Sequence, residues 1–194
     1  MIRSQVLIVC TVIIICLSIT ASVFSADNES LLWDALTSGD HFALLRHTLA
    51  PGTGDPPEFR LGQCKTHRNL SYKGRDQAGK SGDRFREIII FVAQIFSCQW
   101  CRCLETAKLL KLGQIEERGA LNSVFGQYER RDSQTDMLLE WLKVQDLDQP
   151  FVLVTHQVNI TALTGIYPDS GELVIVQRSG PGDIRVIGTI KTPW

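Results

Sequence analysis

Short apolar runs separated by amphipathic stretches recur along most of the chain, and their spacing predicts its secondary structure. Apolar runs with the length of buried strands occupy residues 42–45, 92–96 and 151–155. Helical patterns occupy residues 29–36, 71–88, 104–112, 134–144 and 160–163. Residues 173–176 and 185–190 form a predicted hairpin around Gly180-Pro181-Gly182. This alternation predicts an α/β fold, a three-layer α/β/α sandwich whose mostly parallel sheet is covered by helices on both faces.

Some of these segments allow finer predictions. Ser71 is the expected N-cap of the helix at residues 71–88. In residues 134–144, the side chains expected to face the core are Met137, Leu138, Trp141 and Leu142. Residues 50–64 are rich in glycine and proline, so we expect a loop there. Because this loop directly follows the first strand, it is the expected wall or lid of a site at the strand end.

Charged and imidazole side chains stand where the apolar runs end. Arg46-His47 follows the first run, Arg102 lies on a turn after the second, and His156 follows the third. Ligands of such sheets bind beyond the carboxyl ends of the strands, so these residues are expected to converge. Arginine binds phosphate oxygens bidentately and keeps its charge, and a neutral imidazole can attack phosphorus near pH 7. The pattern therefore predicts a pocket for a phosphate dianion with a histidine nucleophile.

The overall composition excludes some classes of partner. The chain has 194 residues, 44% of them hydrophobic, which suits one well-buried α/β domain. Its formal net charge is -1, so no global positive field would recruit nucleic acid or an anionic membrane. Any anion site must come from a local cluster of cations.

The first residues have the pattern of a targeting segment. Arg3 supplies a positive charge, residues 6–19 are almost wholly apolar, and Val23-Phe24-Ser25 is compatible with signal peptidase cleavage. We predict a signal peptide at residues 1–25, with a retained membrane anchor as the alternative. Residues 26–194 would then form a single periplasmic or secreted domain, with no stable membrane partner unless the segment is retained.

Four cysteines follow this segment, at positions 64, 98, 101 and 103. In an oxidising compartment one or two disulfides are expected, although Cys101 and Cys103 are too close to pair without strain. The Cys98-x-x-Cys101 spacing also resembles that of dithiol redox sites. A zinc site from Cys98, Cys101, Cys103 and His67 is a further possibility. We favour a disulfide from this cluster to Cys64 that staples the loop at residues 50–64.

Four blocks together carry a family resemblance. Leu44-Leu45-Arg46-His47 comes first, then Leu70-Ser71-x-x-Gly74-x-x-Gln77-Ala78, then Cys101-Arg102-x-x-Glu105-Thr106-Ala107, then Val154-Thr155-His156. Their order and separation resemble the histidine phosphatase superfamily, which has the phosphoglycerate mutase-like fold. The match spans residues 42–163. The predicted export and small size also resemble the phosphatases that act on lipopolysaccharide core sugars.

The resemblance implies roles for individual residues. His47 would be the nucleophile that becomes phosphohistidine, and Arg46, Arg102 and His156 would bind the phosphoryl oxygens. Such a site works by in-line placement and fixed positive charge, so the resemblance implies no cofactor and no metal. The implied partner is a small-molecule or sugar phosphomonoester. His41 and His67 are expected to be surface residues.

Two positions depart from the family's pattern. Thr48 stands where glycine usually follows the Arg-His pair, so we expect its hydroxyl to bind phosphate or to tighten the pocket. Ser123 stands where many members place a glutamate acid after a Leu-Asn pair, and serine protonates an alkoxide poorly near pH 7. Glu129 is our candidate for the general acid, ahead of Asp132 and Glu105.

The resulting prediction is a phosphomonoester phosphatase that works through a phosphohistidine on His47. One alternative is a thiol-disulfide oxidoreductase that uses Cys98 and Cys101. Another is a catalytically silent phosphate-binding domain, which Thr48 and Ser123 make credible.

Overall fold

The computed structural model describes residues 28–180 and 182–192 of the chain. The predicted signal peptide or anchor at residues 1–25 lies outside the described residues. Within the described ranges, no helix combines the length and apolarity needed to span a membrane.

Six strands form one mixed sheet. They are β1 (His41–Arg46), β2 (Gln94–Ser97), β3 (Ile115–Glu117), β4 (Phe151–Thr155), β5 (Leu173–Gly180) and β6 (Asp183–Ile190). Their order in the sheet is β3-β2-β4-β1-β5-β6. Strands β1 to β4 run parallel, whereas β5 is antiparallel to both of its neighbours. The carboxyl ends of β1, β2 and β4 therefore meet at one edge.

Helices cover both faces of this sheet, as the α/β pattern predicts. They are α1 (residues 28–35), α2 (Tyr72–Glu87), α3 (Cys101–Leu110), α4 (Arg131–Leu142) and α5 (Gln157–Thr164). On one face, Trp141 of α4 packs on Phe96 and Phe151, with ring centroids 4.8 and 5.8 Å away. On the other face, Leu32 of α1 lies against Gly188 of β6. The three-layer prediction is confirmed.

Residues 70–78, the second of the four motif blocks, fix the position of the segment that follows His47. Ser71 is the N-cap of α2, as predicted, and accepts a hydrogen bond from the Gly74 amide at 3.0 Å. A Cβ at Gly74 would lie 2.1 Å from the Leu49 carbonyl oxygen, so only glycine allows this approach. Gln77 Oε1 also accepts from the Leu49 amide at 3.2 Å. The block therefore fixes the backbone two residues beyond His47.

Some predicted elements differ from the structure. Met137 is 56% exposed, so its placement in the core was wrong. The buried residues of α4 are Gln134, Leu138 and Leu142, a stripe at whose margin Met137 lies. Helix α3 begins three residues earlier than predicted, which places Arg102 in its first turn. The short edge strand β3 was not predicted because its sequence, Ile-Glu-Glu, has no apolar run.

Candidate active site

The parallel pairing of β1 and β4 brings two histidines together. Arg46 pairs with Thr155, so His47 and His156 each follow the last residue of neighbouring strands. The His47 amide donates to the Thr155 carbonyl oxygen at 3.0 Å. The two imidazole centroids lie 5.2 Å apart, with the rings at 73°. Both side chains are almost wholly buried.

Arg102 lies within hydrogen-bond distance of both imidazoles. Its side chain is 2% exposed, and its Nε donates to His47 Nε2 at 3.2 Å. Its Nη2 lies 3.5 Å from His156 Nδ1. His47 Nδ1 donates to the Thr48 carbonyl oxygen at 2.8 Å, which leaves Nε2 with a lone pair. The free ring nitrogen of His47 therefore faces a guanidinium.

Burial keeps both histidines neutral. Burial, and after it the charge of Arg102, lowers the pKa of His47 to about 3. The pKa of His156 is also well below its ordinary value, first because of burial and then because of His47 and Arg102. At neutral pH the two rings therefore act as uncharged donors and acceptors, and the positive charge of the site belongs to its arginines.

Arg46 lies beside this pair and lines the same pocket. Its Nη1 donates to the Pro168 carbonyl oxygen at 2.8 Å. Its Nε is buried and has no hydrogen-bond partner in the part of the chain that the structure describes. A buried N–H donor without an acceptor costs free energy, so an anion in the pocket would be stabilised there.

The structure adds Asp55, which the sequence analysis did not single out. Its carboxylate accepts from Arg102 Nη1 at 2.7 Å and from Nη2 at 3.0 Å. It also accepts from the Arg68 amide and from Trp100 Nε1. Burial favours a higher pKa for Asp55, but the hydrogen bonds and charge of Arg102 outweigh it, and the pKa is lowered. Asp55 is therefore a carboxylate at neutral pH and orients Arg102.

Arg68 is the second residue that the sequence analysis missed. It is partly buried, lines the pocket, and donates from its side chain to the carbonyl oxygens of Gly54 and Ala50. Burial and the nearby charge of Arg102 lower its pKa to about 10, so it remains a cation at neutral pH. Asp55 lies in the predicted wall loop, but no local pattern distinguishes it or Arg68 from solvated charges.

The pocket has a volume of about 480 Å³. The loop at residues 50–64, which was expected to form a wall, lines it, and so does a second irregular segment within residues 121–132. The first contributes Gly52, Thr53, Gly54, Asp55, Pro56 and Phe59, and the second contributes Ser123, Phe125, Gln127 and Arg130. Trp100 and Tyr167 add further aromatic surface. The walls thus combine aromatic rings with additional cationic and amide groups.

Two expected site residues lie elsewhere. Thr48 is fully buried beneath the pocket, and its amide and hydroxyl both lie 3.2 Å from Thr106 Oγ1. Thr106 in turn donates to the Arg102 carbonyl oxygen at 2.7 Å, so Thr48 braces α3 and does not line the pocket. Glu129 is exposed, although its neighbours Gln127 and Arg130 line the pocket.

The other two carboxylates considered as acids are also engaged away from the pocket. Glu105 pairs with Arg75 at 2.6 Å, and Asp132 pairs with Arg131 at 2.8 Å. Among the described residues, Asp55 is the one carboxylate that lines the pocket. The structure therefore does not bring Glu129, Asp132 or Glu105 to His47.

The cysteines resolve the alternatives left open by their spacing. Cys64 and Cys101 form a disulfide, so the predicted staple is confirmed and the Cys98–Cys101 dithiol is wrong. The loop is thereby tied to the residue before Arg102. His67, predicted at the surface, is buried, packs on Phe59 and accepts from the Cys101 amide at 3.3 Å. The proposed zinc set that included His67 is therefore not assembled.

Several solved structures share this architecture. A putative phosphohistidine phosphatase SixA from Agrobacterium tumefaciens is 19% identical, with a TM-score of 0.52 over 78% of this chain and 98% of that chain. A phosphoserine phosphatase from Entamoeba histolytica, solved with 3-phosphoglyceric acid, is 12% identical, with a TM-score of 0.56 over 78% and 97%. A protein histidine phosphatase SixA, solved with tungstate, is 11% identical, with a TM-score of 0.55 over 77% and 96%. No protein-family model and no curated protein matches the chain. These similarities establish the fold.

Proposed function

Because the chain has the phosphoglycerate mutase-like fold of the histidine phosphatase superfamily, we propose that it is a phosphomonoester phosphatase with His47 as its nucleophile. The observation that carries this proposal is the position of Arg102. One guanidinium lies within hydrogen-bond distance of both His47 Nε2 and His156 Nδ1. A tetrahedral phosphoryl group bound there would meet a nucleophile and a fixed cation at once.

The first chemical step uses the lone pair on His47 Nε2. The phosphoryl oxygens replace this nitrogen as the acceptor for Arg102 Nε, and Arg46 Nε donates to them as well. Nε2 then forms a bond to phosphorus while the bond from phosphorus to the leaving oxygen breaks. Asp55 keeps Arg102 in place because it binds the two terminal nitrogens and leaves Nε for the substrate. His156 stabilises the charge on the equatorial oxygens.

The second step regenerates the enzyme. Water attacks phosphorus in line with the P–N bond, which breaks, and the electron pair returns to His47 Nε2. Inorganic phosphate leaves, and solvent takes up the proton that the attacking water releases. The Thr48 carbonyl oxygen, which accepts from Nδ1 at 2.8 Å, stabilises the ring while it carries the phosphoryl group. Two arginines and the two neutral histidines take part in both steps.

The leaving group determines which esters react well. Asp55 is the carboxylate in the pocket, but its lowered pKa makes it a poor proton donor at neutral pH. We therefore propose substrates whose leaving groups need little protonation, such as a phosphohistidine, an acyl phosphate or a sugar 1-phosphate. Comparison of the chemical-step rates for an aryl and an alkyl phosphate tests this point, and equal rates would contradict it.

The decisive experiment follows His47 directly. The purified chain should hydrolyse an aryl phosphate in the presence of chelator, and acid-labile phosphate should become bound to protein during turnover. His47→Ala should abolish both signals. His41→Ala is a matched control, because His41 is partly buried at the start of β1 and does not line the pocket. Binding of orthovanadate without turnover would instead indicate a silent phosphate-binding domain and contradict the proposal.

We also propose that the domain is exported, with residues 1–25 acting as a signal peptide. The Cys64–Cys101 disulfide supports this location because such bonds persist in oxidising compartments. Fractionation of cells that express the full chain, followed by N-terminal analysis of the mature protein, tests the idea. An uncleaved cytoplasmic product would contradict it.

A further inference from the structure

Two cysteines that take no part in the disulfide lie against His156. Cys98 directly follows β2, and its amide donates to the Val154 carbonyl oxygen at 3.0 Å, so it lies beside the end of β4. Cys103 lies in the first turn of α3. The Cys98 Sγ is 3.1 Å from His156 Nε2, and the Cys103 Sγ is 3.5 Å from the same nitrogen. All three ligand atoms lie within 4.8 Å of one another, and all three residues are buried.

A hydrogen bond from or to His156 Nε2 satisfies only one of the two sulfurs. One ring nitrogen can either donate a single proton or accept at a single lone pair, so it cannot bond both sulfurs well. The opposite nitrogen of the ring, Nδ1, is already directed at Arg102 Nη2. The two sulfurs and Nε2 therefore form a compact donor set on the side of His156 away from Arg102.

The spacing of these atoms suits a metal ion. For metal–sulfur bonds of ~2.3 Å and a metal–nitrogen bond of ~2.0 Å at tetrahedral angles, the sulfur-to-nitrogen distance is about 3.5 Å. Cys103 already lies at that distance, and Cys98 needs to move by only a few tenths of an ångström. Thiolate and imidazole are the donors that thiophilic ions select, whereas hard cations prefer oxygen.

From this geometry we propose that Cys98, Cys103 and His156 Nε2 form a binding site for one thiophilic d10 ion, copper(I) or zinc(II). Binding replaces the two thiol protons, which leave to solvent, while the ring proton of neutral His156 moves from Nε2 to Nδ1, so that Nε2 offers its lone pair. No electron is transferred because copper is supplied in its reduced form. Two thiolates neutralise the charge of a zinc ion, and with copper the complex carries one negative charge next to Arg102. The ion lies behind His156 and does not touch the phosphoryl group.

The ion itself is the probe in the experiment that tests this site. The full chain, with its Cys64–Cys101 disulfide intact, is freed of metal by a chelator under anaerobic conditions. Buffered copper(I) in one arm and zinc(II) in the other are then titrated, and bound metal per chain is measured by elemental mass spectrometry. We expect one equivalent of at least one ion, and X-ray absorption should report sulfur and nitrogen donors.

Variants assign the ligands. Cys98→Ser and Cys103→Ser should each lose the one bound metal ion per chain. The variant that carries both Cys98→Ala and Cys103→Ala repeats the test without a hydroxyl that could replace a thiolate. His41→Ala should keep the bound metal ion. Orthovanadate binding and far-UV circular dichroism check that each variant is folded. Failure of both ions to bind, binding that survives both cysteine substitutions, or a native Cys98–Cys103 disulfide found by mass mapping would overturn the site. None of these outcomes bears on whether His47 is the nucleophile.

Discussion

Acidification should destabilise this protein because His47 remains neutral in its folded site. The folded pKa of His47 is lowered to about 3 from an ordinary value of 6.5, first by burial and then by the charge of Arg102. Well above pH 6.5 neither state binds a proton at this residue, and the full stability is present. As the pH falls from 6.5 towards 3, the unfolded chain binds a proton that the folded chain does not. Stability must therefore be lost across that window.

The size of the loss follows from the separation of the two pKa values. Each pH unit below the unfolded pKa favours the unfolded state by about 1.4 kcal/mol. Between about pH 7.5 and about pH 5, His47 alone should therefore lower the free energy of unfolding by about 2 kcal/mol. His156, whose pKa is also lowered, adds a contribution of the same sign.

Urea unfolding at these two pH values measures the effect, and His47→Asn isolates it. Asparagine can still donate to the Thr48 carbonyl oxygen from a position near Nδ1, but it does not titrate. The wild-type protein should lose about 2 kcal/mol more than the variant on acidification. Equal losses would mean that His47 binds a proton in the folded state at pH 5, and the proposal that it is a neutral nucleophile would be refuted.

Three further predictions concern the groups around His47. Arg102→Ala should lower the turnover of an aryl phosphate by about 10²- to 10³-fold, because in the proposed mechanism it removes the central donor to the phosphoryl oxygens. Asp55→Asn should lower the free energy of unfolding by about 3 kcal/mol, because it leaves the buried Arg102 charge unpaired, while the ratio of aryl to alkyl phosphate turnover stays unchanged. The Cys64→Ser, Cys101→Ser double variant should lower the free energy of unfolding in urea by about 3 to 4 kcal/mol, because it releases a long loop.

Controls make each of these results interpretable. Arg131→Ala removes an exposed guanidinium that pairs only with Asp132 among the described residues, and it should leave turnover unchanged. Full activity in Arg102→Ala would remove that residue from the site. Selective loss of alkyl phosphate turnover in Asp55→Asn would identify Asp55 as a proton donor. For the double variant, the wild-type protein with reductant should show the same loss, and unchanged stability in both would contradict the staple.

Much of the fold could be predicted from local patterns. The apolar runs that became β1 and β4 are so nearly continuous that they suited burial in a parallel sheet. Because parallel neighbours end at the same edge, the sequence predicts that Arg46-His47 and His156 lie close together. Arg102 followed from the third motif block, although its helix begins earlier than its periodicity suggested.

Other features depended on tertiary structure because no local period encodes them. Asp55 and Arg68 lie in or beside an irregular loop, and only folding of that loop over α3 brings a carboxylate to Arg102. Thr48 was expected to face the phosphate, yet the approach of Thr106 from α3 offers its hydroxyl a buried partner instead.

The sequence alone predicted the α/β architecture and placed two histidines and two arginines near the ends of apolar runs, because periodicity and strand-end position are properties of a continuous stretch of chain. It also showed that Cys64 was available as a partner for the cysteine cluster. Only the tertiary structure decided that Cys101 is the residue that binds it, and that Cys98 and Cys103 meet behind His156. Such pairings depend on distances between atoms that are far apart along the chain, and those distances exist only once the sheet and its loops have packed.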